Sequence, residues 1–558
     1  MKLYTLTFLL LILCSCSSMK EQERLCLIFN DQCLNMDSLE TNINVAYKVW
    51  RHRGWSKDYD EDIFLNYVLP PQIANEPLEY YWRTDIPEWL GFTYQGESMP
   101  EFAEKINSVM DIEMGRQNWG NDQMGYTAVM SGIPGKCDDR AILTTMAMRS
   151  MGIPAAFETI PLWGGTNNGH SFCGVIMPDS TTYAFQEKDD KYVDIRFANK
   201  VPKIYRQRYF DGVQSKAYAL RNLESLPKLF EDFRLEDVTR YHGVECKDID
   251  LPIEVKSDNR LCYLSLFHPS GWFPIACGEI TGGNMHFKDI GTGVDSHMTN
   301  PLKGENIGNG ILYLPIIFED KIIPASYPLI VFQSGMRLLK PSSDKETIVL
   351  YRKYPLFERI SMFADRMKGG IIEVAEKPDF SDAKIVHYIY DRPLSRMQTV
   401  KLEDKFRFIR FRRPEGALSI AELLVCDPDG KIIGGSPISC DFLDKEHETT
   451  KVFDKDPLTF LDVPHGVNLW VGLDLGRTVQ VGSVGFCPRN DDNGVSPGDT
   501  YELLYWDNEW KSLGVSRAME QKLVYNNVPK NALLWLRDKT RGKEERPFTY
   551  ENGTQIWW

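Results

Sequence analysis

The chain has 558 residues, more than one hydrophobic core normally organises, so the sequence predicts several domains. Its net charge of −14, with no basic patch interleaved with aromatic residues, argues against a nucleic-acid partner. The composition, 43% hydrophobic and 25% charged, is that of an ordinary folded protein.

The N-terminus predicts secretion. A lysine at position 2 precedes an apolar run over residues 3–13, which is too short to span a membrane and is typical of a signal peptide over residues 1–15. The Leu13-Cys-Ser-Cys16 tetrad resembles a bacterial lipobox, which implies a diacylated Cys16 at the mature N-terminus. Because Ser17 rather than an acidic residue follows, the resemblance implies a cell-envelope lipoprotein of the outer membrane, with the leaflet left open.

Residues 16–123 predict a helical lead-in. Apolar residues recur at helical spacing over residues 38–51, 59–68 and 99–110, and a proline-rich interruption covers residues 70–77.

A cysteine opens the next predicted helix. Residues 131–136 carry the glycines and proline of a turn, and residues 141–148 have apolar positions at helical spacing, with Gly152 and Pro154 as stop signals. Cys137 therefore falls at or just before a helix N-terminus. There the unpaired N–H groups and the helix dipole favour a thiolate over a thiol.

Three strands are predicted after this helix. They cover residues 155–162, 171–177 and 183–187, with a Gly/Asn-rich loop before the second and a Pro-Asp-Ser-Thr turn before the third. His170 stands at the loop-to-strand junction, and the second and third strands form a predicted hairpin. An acid on the third strand could orient the imidazole.

Nucleophilic catalysis by a thiol needs a thiolate, an imidazole that shares its proton, and an acid or amide that orients the imidazole. Taken singly, a cysteine and a histidine are more often ordinary core or surface residues. Here both occur within 33 residues, followed by several acids.

Taken together, residues 124–187 resemble the transglutaminase-like superfamily. The match rests on the Gly-x-Cys-x-x-x-Ala run that ends at Ala141, on Arg-Ser-Met-Gly-Ile-Pro-Ala at residues 149–155, and on Gly169-His170. The resemblance implies a papain-like α+β core with Cys137 as nucleophile and His170 as general base. Trp163 and Asn168, in the loop before the histidine, are candidates for substrate contacts.

The third catalytic member is less defined. Where the family has Trp-x-x-x-Asp, this chain has Tyr-Ala-Phe-Gln-Glu, so the resemblance implies Glu187. Nearby Asp189, Asp190 and Asp194 compete for the role. Asp138 and Asp139, which directly follow the cysteine, oppose thiolate formation.

Residues 187–240 predict a polar helical connection that completes a unit over residues 124–240. Beyond residue 239 the chain predicts antiparallel β-sandwiches, with strands near residues 253–255, 262–267, 272–280, 310–318 and 321–325. We assign one module to residues 241–350 and two more to 351–440 and 441–558, although one permuted sandwich would also fit the last two.

The C-terminal half resembles discoidin-like, galactose-binding sandwiches. The resemblance rests on residues 453–460, 469–476 and 484–490, and on 406–411 and 421–424 as closing strands. In such modules an Asp-rich loop often holds structural calcium, which implies Asp454, Asp456 and Thr459 as ligands; a plain Asx-turn is the alternative.

Many aromatic residues near the C-terminus are compatible with sugar binding, but strand packing explains each of them equally well. The cysteines lack the close spacing of a zinc site, and only Cys26 and Cys33 could close a small disulfide loop.

The sequence thus predicts a multidomain α+β lipoprotein. Its thiol domain is expected to act on amide bonds of peptides, glycopeptides or peptidoglycan stems through a thioester. Hydrolysis is preferred to cross-linking, and no cofactor is required. The alternative is a non-catalytic surface protein that binds glycans or proteins and keeps the thiol domain as a degenerate scaffold.

Overall fold

A computed structural model describes residues 36–115, 123–188, 190, 197, 199–209, 215–293, 304–443, 448–541 and 544–558. The signal peptide, Cys16 and the Cys26–Cys33 pair lie outside these residues. The chain divides into two compact units, Met1–Pro301 with Asn309–Leu338, and Leu302–Gly308 with Leu339–Trp558. The elements present confirm a multidomain α+β fold.

Unit 1 opens with helices. In chain order they are α1 Met36–Arg51, α2 Glu61–Tyr67, α3 Trp82–Leu90, α4 Met99–Asn107, α5 Tyr126–Met130 and α6 Cys137–Ser150. The three predicted lead-in helices are confirmed within three residues at each end. Helix α4 begins where the Glu101 carboxylate accepts the Ser98 N–H at 3.0 Å, which completes one side of a capping box.

Helix α6 is the centre of this unit. Every residue from Asp139 onward in α6 is buried, as expected for a helix covered on all sides. Its apolar side chains share one core with those of α1 to α5. The predicted helix start at Cys137 is confirmed.

An antiparallel five-stranded sheet packs on α6. Its strands are β1 Ala155–Ile160, β2 His170–Ile176, β3 Thr182–Phe185, β4 Tyr205–Gln207 and β5 Leu235–Asp237, in the order β3-β2-β1-β4-β5. The predicted β2–β3 hairpin is confirmed, with Cys173 opposite Phe185. Cys173 is a core residue, since its side chain is fully buried.

The predicted helical connection over residues 187–240 is wrong in its described part. It supplies β4 and β5, the short helix α7 Lys216–Ala219 and 3₁₀ turns. Strand β4 forms because it pairs with β1, a non-local contact that overrides the local polar pattern.

The second part of unit 1 is an antiparallel sheet in the order β13-β12-β10-β7-β8-β9-β6, with β11 paired to β10. The strands are β6 Cys246–Pro252, β7 Leu261–His268, β8 Gly271–Thr281, β9 Asn284–Gly291, β10 Ile311–Phe318, β11 Ile322–Pro324, β12 Leu329–Phe332 and β13 Gly335–Leu338. Four of the five predicted strands are confirmed. The fifth, at residues 253–255, is wrong because pairing with β9 ends at Pro252.

Unit 2 is mostly β. Its elements are β14 Lys345–Leu350, α8 Glu358–Asp365, β15 Ile371–Ala375, β16 Lys384–Tyr388, β17 Gln398–Glu415, β18 Leu418–Ile420, β19 Glu422–Cys426, β20 Ser436–Ser439, β21 Leu461–Val463, β22 Val467–Cys487, β23 Thr500–Trp506, β24 Trp510–Arg517, β25 Leu523–Pro529, β26 Leu534–Asp538, β27 Pro547–Glu551 and β28 Thr554–Trp557.

The predicted module boundary at residue 440 is wrong. Strands on both sides of it share one sheet, β16-β15-β17-β22-β19 with β20 on β22, and the β18–β21 pair shares its core. The boundary at residue 350 also moves, because β14 pairs with β25 and shares a core with the last sheet, β24-β23-β26-β27-β28. Long-range strand pairing, invisible in local patterns, decides both boundaries.

Candidate functional site

The start of α6 is held by one carboxylate. Asp139 Oδ2 accepts the backbone N–H of Lys136 at 2.8 Å, and its Oδ1 accepts the backbone N–H of Met124 at 2.8 Å. Asp139 is 4% exposed, so these bonds lie away from water. The side chain caps the first turn and fixes the chain that leads into Cys137.

Strand β2 brings the predicted histidine to this helix start. The backbone N–H of Ser171 lies near the Cys137 sulfur and favours its thiolate form. His170, the preceding residue and the first of β2, pairs with Ile160 of β1. The structure therefore brings Cys137 and His170 into one site, although they are 33 residues apart.

Aromatic rings fix the imidazole plane. The Trp163 indole stacks on the His170 ring with centroids 5.8 Å apart and an interplanar angle of 20°, and Phe172 lies 6.0 Å from the ring on another side. Trp163 is only 7% exposed. It therefore packs against the histidine and offers little open surface to a substrate, contrary to the predicted substrate contact.

Asn168, the other predicted substrate contact, is exposed and helps to shape the loop. Its backbone carbonyl accepts the backbone N–H of Trp163 at 2.9 Å, and its side-chain oxygen accepts the Thr166 hydroxyl at 2.6 Å. These bonds close the loop before β2.

The electrostatics of the site favour two neutral groups. Burial lowers the pKa of His170 to about 4; Asp138 opposes this shift and Arg140 adds to it. Burial, followed by the Asp138 carboxylate, raises the pKa of the Cys137 thiol, against the N–H groups of Ser171 and Asp138. The predicted effect of the helix N-terminus is thus outweighed by burial.

Among the described residues, neither ring nitrogen of His170 has a hydrogen-bond partner. The Cys137 thiol donates a hydrogen bond to Asp138 Oδ1 at 3.8 Å and not to the imidazole. The resting site is therefore a neutral thiol beside a neutral imidazole rather than an ion pair.

The predicted third member is not at the imidazole. Glu187 lies beyond the end of β3 and is exposed, and its N–H donates to Asp190 Oδ2 at 2.8 Å. Glu187 is not among the charges that act on His170. Asp190 is occupied by the same turn, and Asp189 and Asp194 lie outside the described residues.

Asp138 has a second role that was not predicted. Its carboxylate acts on the imidazole as well as on the thiol, where its opposing effect was expected. Gln186, which follows the last residue of β3, was not predicted near the site; its carbonyl accepts Arg140 Nη1 at 2.7 Å. The position of Asp138 next to the cysteine was the available signal, whereas the place of Gln186 depends on the pairing of β2 with β3.

A buried ionic cluster lies on β1 and its neighbours. Glu158, fully buried, accepts Arg206 Nε at 2.7 Å and pairs with His242 Nε2 at 2.5 Å. Burial opposes ionisation, but Arg206 and His242 together hold the pKa of Glu158 low. Gly174 of β2 leaves room for this carboxylate, since a Cβ there would lie 2.3 Å from Glu158 Cδ.

The predicted calcium ligands form a turn. Asp454 Oδ1 accepts the Asp456 N–H at 2.9 Å and its Oδ2 accepts the Thr459 hydroxyl at 2.8 Å, as in the Asx-turn alternative. The described residues hold no group of three or more acidic, histidine or cysteine side chains suited to a metal. Glu422, however, lies beside Asp454, with 1% exposure and no hydrogen-bond partner of ordinary geometry for either carboxylate oxygen.

Glu422 and Asp454 form a pair of adjacent carboxylates. Burial, with Asp454 adjacent, raises the pKa of Glu422 to about 8. Two carboxylates this close repel each other unless one is protonated or a cation lies between them. Oxygen donors of this kind are those that Ca²⁺ prefers.

The aromatic residues near the C-terminus are mostly packed inside. Five of them are at most 7% exposed: Tyr501, Trp506, Trp535, Trp557 and Trp558. Tyr501 and Trp557 belong to the core of the last sheet, and none of the five makes an open sugar platform.

No protein-family model matches the chain, and no curated protein matches it significantly. In the part of the chain that the structure describes, no helix combines the length and apolarity needed to cross a membrane.

Proposed function

We propose that the chain is a transglutaminase-like thiol hydrolase of amide bonds. The observation that carries this proposal is the approach of the Ser171 N–H to the Cys137 sulfur, which sets a helix-terminal thiol beside the residue that follows His170. Peptides, glycopeptides or peptidoglycan stems are the substrates that this chemistry would take. It requires no cofactor.

The neutral resting pair implies general-base catalysis. His170 takes the Cys137 proton as the sulfur attacks the amide carbonyl, and the first N–H groups of α6 are the donors available to the oxyanion. The imidazolium then protonates the leaving amine as the C–N bond breaks, which leaves a thioester. Water, deprotonated by His170, attacks the thioester; the acid departs and the proton returns to the sulfur.

The test is labelling with a peptide vinyl sulfone, followed by mass spectrometry. Cys426 and Cys440, which are also partly exposed, serve as internal references. We expect Cys137 to react faster than both and to lose this advantage in His170→Ala. Equal rates at Cys137 in wild type and His170→Ala would contradict the dyad.

The second candidate is a non-catalytic surface protein that binds glycans or proteins. The absence of a hydrogen bond between the thiol and the imidazole in the described residues favours it. The same labelling experiment separates the two, because a scaffold thiol should react no faster than the reference cysteines.

We further propose that Cys16 carries lipid and anchors the protein in the outer membrane. The lipobox-like tetrad supports this proposal. Incorporation of an alkyne palmitate analogue should disappear in Cys16→Ala, and the protein should leave the membrane fraction. Labelling that persists in this variant would contradict the lipid anchor.

We also propose that Glu422 and Asp454 hold a structural Ca²⁺, with Asp456 and Thr459 shaping the loop around it. The buried carboxylate oxygens of Glu422 that lack partners support this site. The ion would neutralise the two carboxylates and tie β19 to the loop before β21.

A further inference from the structure

A cavity of about 400 Å³ lies wholly within unit 2. Its walls come from the end of β14, from the segment that leads into β17 and from the β27–β28 turn. This volume is within the range of roughly 300–1,000 Å³ that is typical of small-molecule sites. The cavity is far in sequence from the thiol site, and unit 2 carries all of it.

One cation in the cavity wall lacks a counter-ion. Arg396 Nη1 donates to the Gln521 carbonyl at 3.0 Å, while its Nε is buried without a hydrogen-bond partner, and no carboxylate of the described residues bonds to this guanidinium. Burial lowers the pKa of Arg396; Tyr351 opposes this shift and Arg352 adds to it. A cation without a counter-ion in a partly buried site costs free energy, which an anionic ligand at the guanidinium would recover.

The other charges of the cavity are already paired. Arg352 Nη2 donates to Asp491 Oδ2 at 2.6 Å, and Glu305 lies 3.4 Å from Arg392. The cavity therefore has one positive charge without a counter-ion and favours a ligand with one negative group.

The remaining wall suits a sugar ring. Tyr351 is 49% exposed, and its ring centroid lies 5.9 Å from the Arg396 guanidinium carbon. An exposed ring stacks on the C–H face of a sugar. Within the described chain, the side chains of Asn306 and Thr554 form no hydrogen bond, which leaves both available to hydroxyl groups.

The wall is also rigid. Gln555 Nε2 donates to the Arg352 carbonyl at 3.1 Å and its Oε1 accepts the Tyr351 N–H at 3.2 Å. The amide of Gln555 thus ties β28 to the residues that carry the tyrosine ring. Preorganised walls reduce the entropy cost of binding.

We propose that this cavity binds a carboxylated sugar, such as a uronic acid residue of a glycan. Arg396 receives the carboxylate, the Tyr351 ring stacks on the sugar, and Asn306 and Thr554 bond to its hydroxyls. The site is independent of the Cys137 chemistry, so either proposal can fail alone.

The test is saturation-transfer NMR and titration of the full chain in detergent with D-glucuronate, D-galacturonate, D-glucose, D-galactose and acetate. We expect the uronates to bind and the neutral sugars to bind at least about tenfold more weakly, since only the uronates form a charge-assisted hydrogen bond with Arg396. Acetate alone should bind no better than the neutral sugars.

Variants assign the binding to this cavity. Arg396→Gln should weaken uronate binding about tenfold, whereas Arg477→Gln, an exposed arginine of unit 2, should leave it unchanged. Tyr351→Leu, which changes an exposed ring and spares the fold, should weaken both uronates. Matching thermal unfolding of variants and wild type shows that they fold.

Three outcomes would overturn the proposal. Equal binding of neutral sugars would remove the role of the carboxylate, and equal binding of acetate would reduce the cavity to an anion site. Uronate binding that survives both Arg396→Gln and Tyr351→Leu would place the ligand elsewhere.

Discussion

The Oδ1 atom of Asp138 lies 3.8 Å from the Cys137 sulfur, in the first turn of α6. The same carboxylate acts on the His170 ring. One side chain thus opposes the thiolate and favours the imidazolium. Burial, the larger effect, and this carboxylate together explain why a helix start, which usually activates a cysteine, holds a neutral thiol here.

Asp138→Asn should lower the pKa of Cys137 and raise its alkylation rate by iodoacetamide near neutral pH. A charge about 4 Å away in a partly solvated site contributes about 1 kcal/mol, or roughly fivefold in thiolate. The control is Asp85→Asn, a carboxylate that does not act on the thiol. An unchanged rate in Asp138→Asn would mean that water screens this charge.

Unit 1 should lose stability in mild acid because of His170. Its pKa is about 4 in the folded state and 6.5 in the unfolded chain, so the unfolded state binds the proton first as the pH falls. The loss begins near pH 6.5, is complete below pH 4, and is on the order of 3 kcal/mol.

Urea unfolding at pH 7 and pH 4 measures this effect, with His170→Asn as the comparison. The variant should lose less stability than wild type over this interval. Identical losses would show that other groups, such as Glu158, account for the acid sensitivity.

Asp139→Ala should destabilise unit 1 by about 2 kcal/mol, because the Lys136 and Met124 N–H groups lose their acceptor. Asp138→Asn is the matched control and should change the free energy of unfolding by less than about 0.5 kcal/mol. Chemical denaturation of the full chain distinguishes them, and equal stabilities would contradict the cap.

Gly174→Ala should destabilise unit 1 by about 3 kcal/mol or more. The added Cβ meets the Glu158 carboxylate, and displacement of Glu158 breaks its buried pairs with Arg206 and His242. Gly54→Ala is the control, since its Cβ would meet only the Tyr94 hydroxyl at 3.9 Å. A thermal transition of Gly174→Ala that matches wild type would mean that the cluster repacks without cost.

Calcium should stabilise unit 2 through Glu422. With the chelator EDTA, the pKa of about 8 of the Glu422 carboxyl means that the unfolded state ionises first, so stability falls as pH rises from about 4.5 to 8.

Calcium at a hundredfold excess over its Kd should add about 2.7 kcal/mol to the free energy of unfolding. Scanning calorimetry should show this gain in wild type and in the surface control Glu520→Gln, but not in Glu422→Gln. A gain that persists in Glu422→Gln would place the ion elsewhere.

Local signals in the sequence predicted the parts of the site that are close in sequence. Glycine, proline and helical periodicity located the start of α6 at Cys137, and alternation located β2 and its hairpin with β3. The prediction of Glu187 as the third catalytic residue failed because it depended on where β3 ends. Strand β3 stops at Phe185, and Glu187 turns out to solvent.

Module boundaries failed for a related reason. A local pattern shows that β17 and β22 are strands but contains no information that they pair across residue 440. The residues around β4 were predicted to be helical from their local polar pattern. Their pairing with β1, which makes them a strand, is also distant in sequence.

The sequence by itself determined most element types, the helix-terminal cysteine and the histidine at a strand start, because these depend on backbone preferences of neighbouring residues. Only the tertiary structure decided which groups surround them. It half-buried the thiol and the imidazole, set Asp138 rather than Glu187 against them, and left the Glu422 carboxylate and the Arg396 guanidinium without a counter-ion among the described residues. Burial and charge pairing are non-local, and they determine the protonation states on which function depends.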